Sequence, residues 1–317
     1  MVISPPPSNP SRIIRPGFVF FLALPLVFSL VFSGCSFRQF VMAGIVGSME
    51  GLEDLYRSED DPDLVRESMP SNLKMLELLI RQSPNDPKLL LTASRAFTTY
   101  GYAFVMTDAE VAMSTDIHKW KRLRERARKL FLRARGYALR ALEVKYPGFG
   151  RSFQGDPEGT LRSVTRDDVS LLYWTAAAWG SFISASKDDP AAIIELPNVG
   201  YFLERALQLD ESYDRGAVHE LMISYALNRP DEGGAPLEEA HHHFERAVEF
   251  SQGRRASVFV TYAESVSVRT QNRKEFSQML DRALAIDVDE EPSNRLSNII
   301  AQERARRLKG SVDELFY

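Results

Sequence analysis

The chain has only one cysteine, Cys35, in 317 residues, which excludes an internal disulfide bond and any small disulfide-stabilised fold. It has no excess of basic residues either, because 39 Lys and Arg stand against 43 Asp and Glu. The resulting net charge of −4 gives no electrostatic basis for binding nucleic acid. Hydrophobic residues make up 44%, which is ordinary for a globular chain that can bury a large core.

The sequence also lacks the short motifs around which common catalytic sites are built. It contains no glycine-rich phosphate-binding loop and no Gly-x-Ser-x-Gly nucleophile motif. His219 and Glu220 lack the second histidine, four residues after the first, that a zinc-protease helix requires. Successive residues of a helix point about 100° apart, so the three histidines at 241–243 cannot bind one metal ion. His241 with Glu245, or Glu239 with His243, share a helix face and are expected to form a solvated pair. We therefore predict no catalytic site, no cofactor and no metal centre.

The longest apolar run lies at the N-terminus. Two arginines precede the apolar residues 17–32, and two small residues then precede Cys35. This order is that of a secretory signal peptide, and the run is shorter than the roughly 20 residues needed to span a bilayer. The position of Cys35 resembles the lipobox of bacterial lipoproteins. We predict that residues 1–34 are removed and that Cys35 carries acyl chains, which anchor the exported protein to the bacterial envelope, facing the periplasm.

One short pattern recurs in the C-terminal half, where a bulky apolar residue is followed three or four residues later by an alanine. The alanines of its copies, Ala206, Ala247 and Ala283, lie 41 and 36 residues apart. Helix-hairpin repeats of the tetratricopeptide and related kinds have periods of about 34 to 47 residues. A small residue lets two helices cross closely. The pattern predicts an all-α fold, a superhelical array of antiparallel helix pairs, which is typical of a scaffold or binding module.

Turn chemistry predicts where several helices begin and end. The turns at 58–62 and 83–87 each end in Asp-Pro, which favours a capped helix start with proline in the first turn. Pro70 predicts a break between a short helix and a longer one, because a proline inside a helix loses a hydrogen bond and clashes with the preceding turn. At the C-terminus, Phe316 and Tyr317 are expected to dock into a groove.

A stretch rich in glycine and proline separates two helical regions. Because these residues favour turns, we predict a loop at 148–166 between an N-terminal helical half, residues 35–147, and a C-terminal helical-repeat half, residues 167–317.

The segment from Lys119 to Arg140 contains ten basic residues and one acid, Glu125, yet its apolar positions fall on one helical stripe. The pattern predicts a packed helix with a basic outer face. That face is interpreted either as a solvated surface or as a contact for anionic lipid head groups or an acidic partner.

Small and very large side chains alternate in residues 171–183, which predicts a helix that is buried nearly all round. Core packing explains such a helix. The alternative is that some of its aromatic rings, with others from an earlier segment, line a groove for an apolar or organic-acid ligand. The candidate lining residues are Tyr100, Tyr102, Phe104, Tyr173, Trp174 and Trp179.

Several segments occur in the order typical of one known family. They include Cys35-Ser36, Asp60-Asp-Pro-Asp-Leu-Val-Arg66, Tyr102-Ala-Phe-Val105, Leu172-Tyr-Trp-Thr-Ala-Ala-Ala-Trp179, Ser186-Lys-Asp-Asp-Pro190, His219-Glu-Leu-Met-Ile-Ser-Tyr225, His243-Phe-Glu-Arg-Ala-Val-Glu249, Ala283-Leu-Ala-Ile-Asp287 and Asn298-Ile-Ile-Ala-Gln302. Nearly the whole mature chain resembles the T component of tripartite ATP-independent periplasmic (TRAP) transporters, a lipoprotein family of degenerate tetratricopeptide-like helix pairs.

The resemblance implies an accessory role in solute uptake. It further implies association with the periplasmic substrate-binding protein of the transporter, a homo-oligomer with a trimer favoured, and a small ligand that is held or passed on. Only the lipid-bearing Cys35 is carried over as a site residue. Two other functions remain open on the residues alone, an independent carrier of a small apolar molecule and an envelope assembly scaffold.

Overall fold

The structure is a computed structural model that describes residues 1–4, 51–229 and 235–316. The predicted signal peptide, apart from residues 1–4, and Cys35 lie outside these residues. Met1–Met49 and Glu50–Tyr317 form two separate units, and every described helix belongs to the second. Within the described ranges, no helix combines the length and the apolar character needed to cross a bilayer.

The prediction of an all-α fold is confirmed, since 80% of the structure is helical and the described residues contain no strand. After a helical stretch at 51–58, the first helices are α1 Pro62–Gln82, α2 Pro87–Tyr100, α3 Thr107–Met113, α4 Ile117–Lys145, α5 Phe149–Gly155, α6 Pro157–Leu161 and α7 Val169–Ala185. They are followed by α8 Pro190–Ile193, α9 Leu196–Leu209, α10 Ala217–Asn228, α11 Pro236–Ser251, α12 Ala256–Tyr262, α13 Arg273–Leu284, α14 Arg295–Gly310 and α15 Val312–Leu315.

Short segments of other helix types join these elements. A π-helical segment, Gly101–Met106, continues α2 into α3, and a second one, Ala263–Ser267, extends α12. Single 3₁₀ turns lie at Arg166–Asp168, Tyr213–Arg215 and Pro292–Asn294.

The Asp-Pro turns begin helices as the sequence predicts. The carboxylate of Asp61 accepts hydrogen bonds from the backbone N–H groups of Asp63 and Leu64, each at 3.0 Å, and Pro62 occupies the first turn of α1. Asp86 caps α2 in the same way. These bonds satisfy N–H groups that have no partner inside the helix, so the start of each helix is fixed locally.

The break predicted at Pro70 is wrong, because α1 continues through it from Pro62 to Gln82. The apolar residues on both sides of the proline lie on one buried face: Val65, Met69, Leu73, Leu76, Leu79 and Ile80. Burial of this face outweighs the one hydrogen bond that Pro70 cannot donate, since tertiary packing supplies most of the stability of a helix in a protein.

The segment 148–166, expected to be a loop, contains the two short helices α5 and α6. Gly148 adopts φ +87° between α4 and α5, and the Asp156 carboxylate caps α6. Phe149 and Phe153 are buried with their rings 6.3 and 5.1 Å from that of Phe202 in α9. Their packing ties the segment to the core, and residues Glu50–Tyr317 form one compact unit without a boundary at this point.

The core is built by helices that pack on their neighbours along the chain. The central helix α4 packs on α2 and α7, and α7 packs on α9. Further along, α10 packs on α11, and α12 packs on α13 and α14. The alanines of the recurring pattern, Ala206, Ala247 and Ala283, are fully buried, as close helix crossings require. At the end of the chain, Phe316 is buried edge-on against Phe276, with their ring centres 5.0 Å apart, as expected for a docked C-terminus. Tyr317 lies outside the described residues.

The last long helix returns to the first, so the two ends of this unit are in direct contact. The helix α14 packs against α1. Arg57 donates a hydrogen bond to the backbone carbonyl of Ser293 at 3.0 Å, and Arg295 donates one to the carbonyl of Ser58 at 3.0 Å. These contacts create a junction between sequence-distant segments, and it is this junction that assembles the candidate site.

Candidate ligand site at the junction of the first and last helices

Arg304 of α14 joins the two π-helical segments, Gly101–Met106 and Ala263–Ser267. Its Nε donates to both carboxylate oxygens of Glu264 at 2.9 and 3.0 Å, and its Nη2 donates to Glu110 of α3 at 3.0 Å. The guanidinium lies 6.0 Å from the centre of the Tyr102 ring. Tyr102 and Glu264 thus belong to the two π-helical segments, a backbone form that is rare and frequent at functional sites.

Close packing explains why the first π-helical segment can present Tyr102 at the junction. A Cβ atom at Gly101 would lie only 2.6 Å from Cε1 of Phe131 in α4. Only glycine therefore allows α4 to approach this closely, and the buried Phe131 fixes the segment from behind.

A second group of charges surrounds Asp214. The buried Arg255 contacts Asp214 at 3.2 Å and Glu220 at 3.8 Å, and Arg57 donates to the other oxygen of Asp214 at 3.2 Å. Asp214 adopts φ +40°, a left-handed conformation that is uncommon for a residue other than glycine. Two arginines therefore hold the carboxylate of a strained turn, and such strain clusters at functional sites.

Aromatic rings lie beside these charges. The ring of Tyr173 packs edge-on against Trp174 at 5.1 Å and lies 5.4 Å from that of Tyr213. Arg95, which forms an ion pair with Glu53, holds its guanidinium 5.5 Å from the centre of the Trp174 ring. The site thus offers apolar ring faces next to fixed charges.

The Tyr102 ring lies next to the charged side chains of the junction. The side chain is 53% exposed, yet its pKa is raised. Arg304 lowers that pKa, but burial and the charges of Glu264, Glu110 and Glu220 together outweigh it. Tyr102 therefore offers a solvent-accessible ring beside Arg304 and the two acids that Arg304 binds.

Glu220 is the second acid beside Arg255. Burial raises its pKa, although Arg255 opposes this. Burial is also the main cause of the raised pKa of Tyr173, to which Glu220 and Asp214 contribute.

The structure divides the six predicted lining residues into two sets. Three of the rings are partly exposed: Tyr102, beside Arg304, and the contacting pair Tyr173 and Trp174. The other three, Tyr100, Phe104 and Trp179, are buried in the core.

The buried three have structural partners. Trp179 donates from Nε1 to Glu195 at 2.8 Å, the Tyr100 hydroxyl accepts a hydrogen bond from Arg126 at 3.1 Å, and the Phe104 ring lies 5.0 Å from the Arg66 guanidinium.

The charged and aromatic residues described above lie almost entirely within a segment that matches a known protein family. Residues 58–316 match the family described as TAtT: TRAP transporter T-component. The chain is also 34% identical over 305 residues to an uncharacterised protein of Treponema pallidum (strain Nichols), an alignment that covers 90% of this chain and 94% of the relative. This chain belongs to the TRAP transporter T-component family.

Membership in the T-component family establishes the coarse function. The protein is an accessory component of a TRAP transporter, a role that implies association with other components of that transporter and a membrane-associated location in the envelope. The family is one of transporter accessory components and is not known for catalysis.

The charged residues of this T component's junction were not identified from the sequence. Asp214, Glu220, Arg255, Glu264 and Arg304 belong to different helices and turns, and no local spacing relates them. One weak signal was available, since Glu264 interrupts an otherwise apolar or small stretch, Val258 to Val268. A single charge in such a stretch does not reveal its partner.

A pair of histidines in the T component lies buried elsewhere, between α10 and α11. The Nδ1 atoms of His219 and His243 are 2.8 Å apart, so one imidazole donates to the other, and Nε2 of His219 lies 3.3 Å from Glu211. Burial lowers the pKa of both histidines, that of His243 to about 4. In the described residues no group of three His, Cys, Asp or Glu side chains could hold a metal ion. His241 forms the expected exposed pair with Glu245 at 3.3 Å. The alternative pair of Glu239 with His243 is wrong, because His243 is buried against His219 and Glu239 accepts a hydrogen bond from Arg229 at 2.5 Å.

Proposed function

We propose that this T component is a lipid-anchored, periplasm-facing protein that docks the substrate-binding protein of its transporter and holds a small ligand at the junction. Family membership supports the docking role. The observation that supports the ligand role is the exposed Tyr102 ring beside the guanidinium of Arg304, which Glu264 and Glu110 hold in place.

The arrangement of charges favours an apolar ligand over an organic acid. Arg304 is bound to Glu264 and Glu110, and Arg255 is bound to Asp214 and Glu220. An acidic ligand would have to displace one of these carboxylates and leave it buried without a partner, which is unfavourable. A neutral ligand instead needs only the ring faces and the tyrosine hydroxyls.

The docking proposal is tested by isolating the tagged, lipidated protein gently from its native envelope and identifying co-purifying proteins by mass spectrometry. Recovery of a periplasmic solute-binding protein supports docking. Recovery of the T component alone, as a defined oligomer, would favour an independent small-molecule carrier. Recovery of outer-membrane assembly proteins would favour a scaffold. Native mass spectrometry of the same sample tests the homo-oligomer, for which we propose a trimer.

The ligand proposal is tested by native mass spectrometry of the protein purified without delipidating steps. We expect a small organic adduct on the unsubstituted protein and a strongly reduced one on Tyr102→Ala, because this change removes a partly exposed ring of the junction. Tyr201→Ala is the matched control, since Tyr201 is a partly exposed tyrosine of α9 outside the site. Equal occupancy in both variants would contradict a ligand at the junction.

A further inference from the structure

The structure separates the basic helix α4 into two parts with different surroundings. Along most of the helix, bases are paired with acids: Arg124 with Asp188, Arg128 with Glu125, Arg133 with Glu77, Arg135 with Glu195 and Lys145 with Asp168. At its start, Lys119, Lys121 and Arg122 are exposed and form no salt bridge with any residue that the structure describes. Three exposed bases without an acidic salt-bridge partner among the described residues therefore lie together at the beginning of α4.

Exposed apolar side chains lie in the same place. The end of α3 exposes Val111 by 53% and Met113 by 63%, and the start of α4 exposes Ile117 by 50%. Trp120 is partly exposed, with the guanidinium of Arg124 5.0 Å from its ring centre. We call residues 111–122 the basic tip. Apolar side chains, a tryptophan and unpaired bases together are the composition of a surface that enters the head-group region of a membrane.

The charge of the basic tip indicates that it binds an anionic surface. The basic tip has three bases and one acid, Asp116, whereas the whole chain carries a net charge of −4. The Asp116 carboxylate caps α4 by accepting a hydrogen bond from the backbone N–H of Lys119 at 2.9 Å, so it is already engaged by its own helix. An anionic surface therefore attracts the tip while it repels the acidic protein as a whole, and this difference sets an orientation.

We propose that the basic tip rests on a bilayer containing anionic phospholipids. Lys119, Lys121 and Arg122 would contact the head groups, and Met113 and Ile117 would enter the acyl boundary beneath them. A bilayer accommodates the charges and the apolar side chains at the same time and requires no shape-matched partner. The contact fixes how the T component stands on the membrane and is independent of the ligand proposed at the junction.

The test uses a fluorescent probe at the tip of the full-length lipidated protein. Cys35 is the chain's single cysteine and is predicted to be acylated, so Ile117→Cys supplies a specific thiol for an environment-sensitive dye. The unsubstituted protein is the labelling control and should take no dye. Leu237→Cys is the matched probe control, because Leu237 is an exposed leucine followed by two acids, Glu238 and Glu239.

The protein is placed in vesicles of phosphatidylglycerol and phosphatidylcholine in equal parts, with brominated acyl chains as quencher. We expect a blue shift and strong quenching at 117, weaker effects in pure phosphatidylcholine, and neither at 237. Absence of quenching at 117 would overturn the proposal. So would a blue shift in vesicles that the brominated chains do not quench, because a second copy or another protein would then cover the tip.

Charge-neutralising variants test the electrostatic part. Lys119→Gln, Lys121→Gln and Arg122→Gln combined should lower the ratio of docked to undocked tip about 100-fold, as expected from the contribution of each base near an anionic surface. The matched control combines Arg273→Gln, Lys274→Gln and Lys309→Gln on α13 and α14, which removes the same charge and should leave quenching unchanged. An equal loss in both triple variants would show that net charge, and not the tip, governs the contact.

Discussion

Arg304 is the residue whose loss tests the helix junction most directly, because it bonds both Glu264 and Glu110. The substitution Arg304→Met keeps an apolar stem and removes the guanidinium. Losing one partner of a buried ion pair destabilises a protein by about 3–5 kcal/mol. Solvent screening reduces this loss of stability, since the Arg304, Glu264 and Glu110 side chains are 19%, 27% and 39% exposed. We therefore expect a loss of about 2–3 kcal/mol, which corresponds to a fall in Tm of about 5–10 °C.

The loss should depend on pH in a defined direction. Burial raises the pKa of Glu264 above the ordinary value of 4.5, although Arg304 opposes this. An acid whose pKa is higher in the folded state binds a proton more readily there than in the unfolded chain, so ionisation disfavours folding as the pH rises above 4.5. Without Arg304 this penalty is larger. The deficit of Arg304→Met should therefore be greatest near neutral pH and should shrink towards pH 4.5.

The assay is thermal and denaturant unfolding followed by far-ultraviolet circular dichroism at several pH values. Lys309→Met is the matched control on the same helix, because the Lys309–Asp281 pair is 42% and 61% exposed and such pairs contribute less than about 1 kcal/mol. If Arg304→Met were no less stable than Lys309→Met, the junction would not depend on this ion-pair network, and the reasoning would be refuted.

Three further outcomes are expected. The buried pair His219–His243 should make the protein less stable as the pH falls from about 6.5 to 4. The pKa of both imidazoles is lowered in the folded state, so the unfolded chain binds more protons over this range. His243→Gln should reduce the loss of unfolding free energy over this pH range by about 2 kcal/mol, and an unchanged dependence of stability on pH would contradict this. Ala247→Trp should lower the stability by about 1–3 kcal/mol or more, because Ala247 is fully buried and its Cα would lie 3.2 Å from a Cβ at Gly216; an unchanged Tm would exclude a close crossing there. Cys35→Ala should abolish acyl labelling and release the protein from membranes, whereas continued palmitate labelling would refute the lipoprotein prediction.

The failures of sequence-based prediction share one physical cause, tertiary contacts that override local preference. Pro70 disfavours a helix locally, but the buried face of α1 on both sides of it carries the helix through. The glycines and prolines of 148–166 indicate a loop, yet Phe149 and Phe153 find buried partners on α9 and organise short helices. For the aromatic rings the sequence left core packing and ligand lining open, and only tertiary packing places Trp179 in the core.

The sequence by itself determined the features that depend on near neighbours in the chain. Asp61 and Asp86 cap their helices through hydrogen bonds that reach only two or three residues ahead, and the all-α class follows from apolar spacing within each helix. The order of family-typical segments likewise places the chain among T components without any tertiary information.

Only the tertiary structure decided which distant residues meet. The Arg304–Glu110 pair joins positions 194 residues apart, and Arg57 reaches Asp214 across 157 residues. Neither contact follows from periodicity, because it depends on how helix packing closes α14 onto α1. The same packing pairs most of the bases along α4 with acids and leaves those of the basic tip exposed. Local patterns specify helices, whereas the geometry of their packing selects the partners of each charge.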